Sequence, residues 1–235
     1  MFDVSFNASF DRFNLSAKFV VKNSGIIAVI GPSGAGKSSL LNALAGYTKI
    51  ANGHILWQAT PIHTIKPSAR PIATLFQDNN VFPHLTIERN LALAITQWPW
   101  LTLKQKTLIQ VALESTGLSG LEDRLPSKIS GGERGRVALA RILLQNKPIL
   151  LLDEPFSALG PGLKNEMLDL IARIAKKKEL LIFLVTHEPK DALRIAPKTI
   201  TVIDGDVSEP ISTEVALDKK FGPLSKYLLK KSSSK

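Results

Sequence analysis

The chain is expected to form an α/β fold with a mostly parallel core sheet, an N-terminal antiparallel β subdomain and an inserted α-helical subdomain. Three observations predict it. The apolar run Ile26–Ile30 ends at the glycine-rich segment Gly31–Ser38 and is followed by a helical stretch, Ser39–Ala45. A strand, helix, strand order recurs between Ile149 and Val185, which calls for parallel pairing. Between these regions, from about Asp78 to Lys128, the apolar spacing turns helical and interrupts the sheet pattern.

The elements follow in order. Apolar and polar residues alternate around Phe2, Val4 and Phe6 and again at Leu15, Ala17, Phe19 and Val21, as in antiparallel strands covered on one face. Ile26–Ile30 does not alternate, which marks a strand buried on both faces. Gly46 is placed to stop the helix that begins at Ser39. In the helical block Thr86 and Thr102 are candidate N-caps, Leu91–Ile95 and Leu108, Val111 and Leu113 supply apolar faces, and Gly117 can end the second helix. Trp98-Pro99-Trp100 reads as a loop packed on its own subdomain, with a partner contact as the alternative. Ser130 opens an amphipathic helix toward Leu144, with Val137, Leu139 and Ala140 inward and Arg134, Arg136 and Arg141 mainly outward. Ile149–Leu152 and Leu180–Val185 read as buried strands around a helix with Pro161 in its first turn. Thr199–Ile203 reads as a strand turning at Asp204-Gly205, after which the chain becomes polar and loses its pattern.

Composition limits the possibilities. With 235 residues and 44% apolar content, one compact unit with an insert is expected rather than two full domains. The absence of cysteine removes disulfides, thiolate metal sites and cysteine nucleophiles, and fits a reducing compartment. No apolar run approaches the roughly 18 residues needed to cross a bilayer, and the N-terminus lacks a secretory pattern, so a membrane role would go through a partner. The net charge of +10 lies largely in lysine runs at 176–178, 219–220 and 226–235, read as a solvated face or frayed tail, with attraction to an anionic leaflet or a partner as the alternative. No aromatic-interleaved platform accompanies them, so nucleic acid is not an expected partner.

Three motifs carry chemistry. Gly31-Pro32-Ser33-Gly34-Ala35-Gly36-Lys37-Ser38 fits the phosphate-loop pattern of a P-loop NTPase at every fixed position, and Ser39 continues it into the helix. Glycines let backbone N–H groups approach phosphate oxygens, the helix start adds partial positive charge, Lys37 neutralises the β and γ phosphates, and Ser38 offers a hydroxyl to Mg²⁺. The strand Leu150–Leu152 delivers Asp153 toward that metal and Glu154 one residue beyond, where a general base for an attacking water is needed. Ser130-Gly131-Gly132-Glu133 provides a second helix start suited to an anion. Two such starts are hard to use on one triphosphate unless the second serves a nucleotide held by another copy of the chain.

With these motifs, a glutamine at Gln77 and a histidine at His187 after an apolar strand, residues 1 to about 208 resemble an ATP-binding cassette ATPase of the importer type. The resemblance implies the ABC ATPase fold over 1–208, with the helical subdomain inserted at about 78–145 and a polar, basic extension at 209–235. It implies a homodimer closing head to tail on two ATPs, each held by one subunit's Lys37 loop and the other's Ser130–Glu133. It also implies that Gln77 contacts Mg²⁺ and senses the membrane partner, that His187 touches the γ-phosphate and the opposing subunit, and that Phe10, or else Phe13, stacks on adenine. The partners implied are transmembrane permease subunits and, indirectly, a periplasmic solute-binding protein, at the cytoplasmic face of a bacterial inner membrane.

Two positions depart from the pattern. Gly160 stands where the family usually has Asp, and Glu133 where Gln is commoner. Within the family, the run Arg70–Thr86 is most similar to the ATPases of thiamine or thiamine pyrophosphate importers. Molybdate, iron or another small solute remains the alternative, because the ATPase does not touch the solute. A soluble cassette acting on DNA or ribosomes would carry a repeat or a heptad tract, and a phosphate-loop kinase would leave the Ser130 helix without a role; neither tract nor repeat is present.

Overall fold

The computed structural model describes residues 1–10, 13–76, 81–218, 220 and 222–225. Strands β1 (Phe2–Phe10) and β2 (Phe13–Val21) pair antiparallel, Phe2 opposite Val21, and β1 also pairs antiparallel with β4 (Asn52–Trp57), whose other edge carries β5 (Thr60–Pro61). The alternation read from the sequence is borne out: Phe2, Val4, Phe6 and Ala8 and, on the other strand, Leu15, Ala17, Phe19 and Val21 point into the core.

The second half of the sheet is parallel. β3 (Gly25–Ile30) pairs with β8 (Leu181–Val185), β8 with β7 (Ile149–Asp153), β7 with β6 (Ile72–Leu75), and β3 on its other side with β9 (Lys198–Ile203). Short β10 (Asp206–Val207) joins the halves by pairing with both β9 and β2, and β11 (Ile211–Ser212) lies on β9. The central strands are apolar throughout because both faces are covered. Ile149 and Leu151 of β7 face the core beneath β1 and β2, and Leu150 and Leu152 face the opposite one.

Helix α1 (Lys37–Ala45) follows β3 and fills the first core with Leu40, Leu41 and Leu44; Gly46 ends it in the left-handed conformation at φ 91°. Arg70 closes the same end. Its buried guanidinium donates to the carbonyls of Ala43 and Leu44, at 3.1 and 2.7 Å, and to those of His63 and Ile65. A cation at a helix C-terminus satisfies carbonyls that have no partner within the helix.

Helices α2 (Ile87–Ala92) and α3 (Leu103–Thr116) are capped by Thr86 and Thr102, and Gly117 terminates α3. They pack with one face of α4 (Gly131–Leu144) around their own small core, which includes Leu91, Leu113, Val137 and Ala140. The opposite face of α4, with Leu139, Ile142 and Leu143, belongs to the sheet core. Helix α5 (Pro161–Lys178) follows β7, and the short α6 (Pro189–Ile195) and α7 (Thr213–Ala216) come after β8 and β11.

Three expectations need correction. Trp98 and Trp100 are not packed on their subdomain; 76% and 83% of their surface is open. Arg141 is half-buried with its guanidinium 4.9 Å over the Phe82 ring, because that part of α4 has an aromatic neighbour to cover. The pattern does not end at Gly205, since Val207, Ala216, Leu217 and Leu224 are all buried. The segment is too short in each element for periodicity to register.

Candidate nucleotide site

The site assembles at the carboxyl ends of β3, β7 and β8. β3 leads into Gly31, where a Cβ atom would overlap the Val202 carbonyl, so glycine is needed there for β3 and β9 to approach. The loop turns into α1 through Gly36 at φ 105°, a conformation that side-chain-bearing residues rarely adopt. No side chain caps α1, so its first-turn N–H groups face the loop that Pro32, Ser33, Gly34 and Ala35 form. That is the arrangement by which a helix start takes phosphate.

Lys37 is buried and its ammonium donates to the Pro32 and Gly31 carbonyls at 2.8 and 3.1 Å. Burial lowers its pKa, opposed by the nearby charges of Glu154 and Asp153. Asp153, at the end of β7, has its pKa raised chiefly by burial, with the Ser38 hydrogen bond and Lys37 acting against that. Loop lysine, loop serine and strand acid therefore meet, as their spacing predicts.

Glu154 sits in the left-handed region at φ 46°, with its N–H bonded to the Val185 carbonyl at 3.2 Å. Strain of this kind in a non-glycine residue persists only where the surroundings fix it. Its carboxylate lies 3.2 Å from His187 Nδ1, and His187 Nε2 is 3.7 Å from Glu188. β7 and β8 are neighbours, so residues 33 apart in sequence meet at adjacent strand ends.

Ser130 caps α4 in a reciprocal box. Glu133 N–H donates to Ser130 Oγ at 3.2 Å, while the Glu133 carboxylate accepts from both Ser130 N–H and Oγ at 2.7 Å. Those bonds hold the Glu133 pKa below the ordinary carboxylate range. Gly131 and Gly132 form the first turn, and Gly132 packs against Leu163 with no space for a Cβ. Phe10 and Phe13, read as alternatives, are stacked on each other at 4.8 Å and 6°, and the Phe13 ring lies against Gly36. Gln77 falls outside the described residues.

The sequence reading missed a buried group behind these residues. Asp191 accepts from Thr186 Oγ1 at 2.7 Å and pairs with Lys164 at 2.6 Å, while Thr186 Oγ1 also accepts from Glu188 N–H. A small cavity lined by Glu154, Ser157, Lys164 and Asp191 lies beside it. No local signal marked the pair, because Lys164 and Asp191 lie on different helices and meet only through packing.

In α/β proteins, ligands bind beyond the carboxyl ends of parallel strands. A phosphate loop in that position, faced by two successive acids at the end of β7, defines a phosphate-loop nucleoside triphosphatase fold. The chain belongs to the ABC transporter family: residues 15–157 match its model, described as "ABC transporter". It is an ATP-binding cassette ATPase of that family. It is 44% identical to the thiamine import ATP-binding protein of Ruegeria sp. (strain TM1040) over 92% of this chain and 94% of the relative. Identity is 51% to the protein of the same name from Cereibacter sphaeroides over 80% and 81%, and 43% to that from Yersinia pseudotuberculosis over 82% and 81%. Among solved structures, a nucleotide-free cassette from an ABC transporter superposes with a TM-score of 0.81 at 21% identity, covering 90% of this chain and 91% of that one. A dimeric bacterial cassette gives 0.76 at 23%, covering 91% and 99%.

Proposed function

We propose that the chain is the ATP-hydrolysing subunit of a bacterial importer for thiamine or thiamine pyrophosphate, working as a head-to-tail dimer on permease subunits at the cytoplasmic face of the inner membrane. The observation that carries the catalytic part is the convergence of Lys37, Ser38, Asp153, Glu154 and His187 at three neighbouring strand ends. The names of relatives 40 to 51% identical support the solute. Helices in the 78–145 region form the inserted unit, and a solute-binding protein engages the assembly only through the permease.

Each residue has a role in this reading. Loop residues 31–36, with Ser38 and Ser39, offer N–H and hydroxyl groups to the triphosphate, and Lys37 exchanges its two loop carbonyls for phosphate oxygens. The oxygen donors of Ser38 and Asp153 suit Mg²⁺, and with Gln77 they would hold it. The ion supplies charge neutralisation on the phosphates when bound. Glu154 orients the attacking water and takes its proton, and His187, bonded to Glu154, contacts the γ-phosphate. Phe10 stacks on adenine, backed by Phe13. Ser130, Gly131, Gly132 and Glu133 complete the partner's site.

The test is reconstitution with the neighbouring permease and its receptor in vesicles. Turnover should rise with thiamine-loaded receptor, and Glu154→Gln should lower it at least about 10²-fold while ATP still binds. Undiminished turnover in that variant would refute the catalytic assignment. Stimulation by molybdate or iron receptors instead would refute the solute.

A further inference from the structure

The segment joining α2 to α3, with the first residue of α3, carries the most exposed large apolar side chains among the described residues: Trp98 at 76%, Trp100 at 83% and Leu103 at 86%. It is nonetheless held in shape. Arg89 Nη1 donates to the Pro99 carbonyl at 2.6 Å, Trp98 N–H to Thr96 Oγ1 at 3.1 Å, and the Thr102–Gln105 capping box fixes the backbone from which Leu103 projects. Proline between the two indoles stiffens the tip further. A protruding apolar group whose order is already established binds without a further ordering cost.

We propose that this Trp-Pro-Trp prong contacts lipid directly, resting in the headgroup region of an anionic leaflet. Charge and shape select that occupant. From Asn90 to Leu113 the chain has no acid but has two lysines, Lys104 and Lys106, both exposed immediately beyond the indoles. The nearest acids, Glu88 and Glu114, line with Glu122 a groove along α3 that Lys106 also borders, which leaves Lys104 as the lysine clear of them. The prong is convex, with most of each indole open, whereas a groove for a partner helix would be recessed. Indole is apolar with one N–H donor and concentrates at the boundary between acyl chains and water. Lysines beside it keep their ammonium groups at the phosphates and gain from a negative leaflet. An anchor this small binds weakly and reversibly on its own. The inference stands apart from the solute and from ATP hydrolysis, which use other surfaces.

The chain has three tryptophans, and Trp57 is partly buried and packed edge-on against Phe2, so emission changes report mainly on the prong. Purified full-length chain is mixed with vesicles of phosphatidylglycerol and phosphatidylcholine in equal parts, or of phosphatidylcholine alone, carrying lipids brominated near the headgroup. Quenched, blue-shifted emission is expected with the anionic vesicles. The variant Trp98→Ser/Trp100→Ser should lose the quenching and partition about tenfold more weakly. Lys104→Glu/Lys106→Glu should remove the preference for anionic lipid. Melting temperature and basal ATP turnover should stay unchanged in both, since these side chains are exposed and outside the nucleotide site. Vesicle binding with unquenched tryptophans would assign attachment to other lysines and overturn the proposal. Shielding of the indoles only when a permease is present would assign the prong to a protein partner and overturn it equally.

Discussion

Glu133 places a full negative charge at a helix start, which suits the helix but opposes an incoming triphosphate. The carboxylate gains from the N-terminal dipole and from its bonds to Ser130. Glutamine keeps the capping geometry and drops the charge. Glu133→Gln is therefore expected to cost about 0.5 kcal/mol of stability while strengthening ATP-dependent pairing of two copies, measured by sedimentation in a hydrolysis-deficient background. Asp153 behaves in the opposite sense to most acids, because burial raises its pKa. The folded state then binds a proton more tightly than the unfolded chain, so stability falls as pH rises through the window above the unfolded value of about 3.9. Asp153→Asn should raise the melting temperature of the nucleotide-free protein at pH near 7. That gain should vanish below the window, and hydrolysis should be lost throughout. A variant no more stable than the parent near neutrality would show that burial is not what governs this carboxyl.

The Lys164–Asp191–Thr186 group joins the first turn of α5 to the loop carrying His187. Removing one partner strands a buried charge. Asp191→Ala should cost about 3 kcal/mol in denaturant unfolding, and the paired replacement Lys164→Met/Asp191→Leu should cost less than the single one. Equal losses would mean the pair's charge is not the stabilising factor. This group was invisible in the sequence because its members become neighbours only when α5 and α6 pack together. Elements with a local signature were legible: Ile26–Ile30 by its unbroken apolar run, α3 by Thr102 and Gly117, and α5 by Pro161. β4 was not, since only Ile55 of its six residues is buried and no alternation registers. β6 has four residues, and its strand state is fixed by pairing with β7, 77 positions away. The phosphate loop and the two acids were legible because their chemistry demands fixed spacing, whereas the resting bonds of Lys37 to its own loop depend on three-dimensional packing.

At the scale of the whole molecule, Lys37 and the Ser130 helix start sit on different parts of the chain, one at the start of α1 beside the sheet and one at the start of α4. The composite-site reading requires a second copy to bring them to one nucleotide. Ser130→Arg should abolish ATP-dependent dimers in cross-linking and leave the monomer's nucleotide binding within about threefold; normal pairing would contradict the shared site. The structure also limits how such pairing is felt. Helix α4 contributes Val137 and Ala140 to the small core and Leu139 and Leu143 to the large one. At 1.5 Å per residue its 14 residues make a rod of about 21 Å. A rod gripped along two sides cannot flex locally, so a tug at its serine tip tilts the whole shaft, and a pivot of about 5° carries that tip roughly 2 Å. The helical unit and the sheet core are thus geared to each other through this shaft.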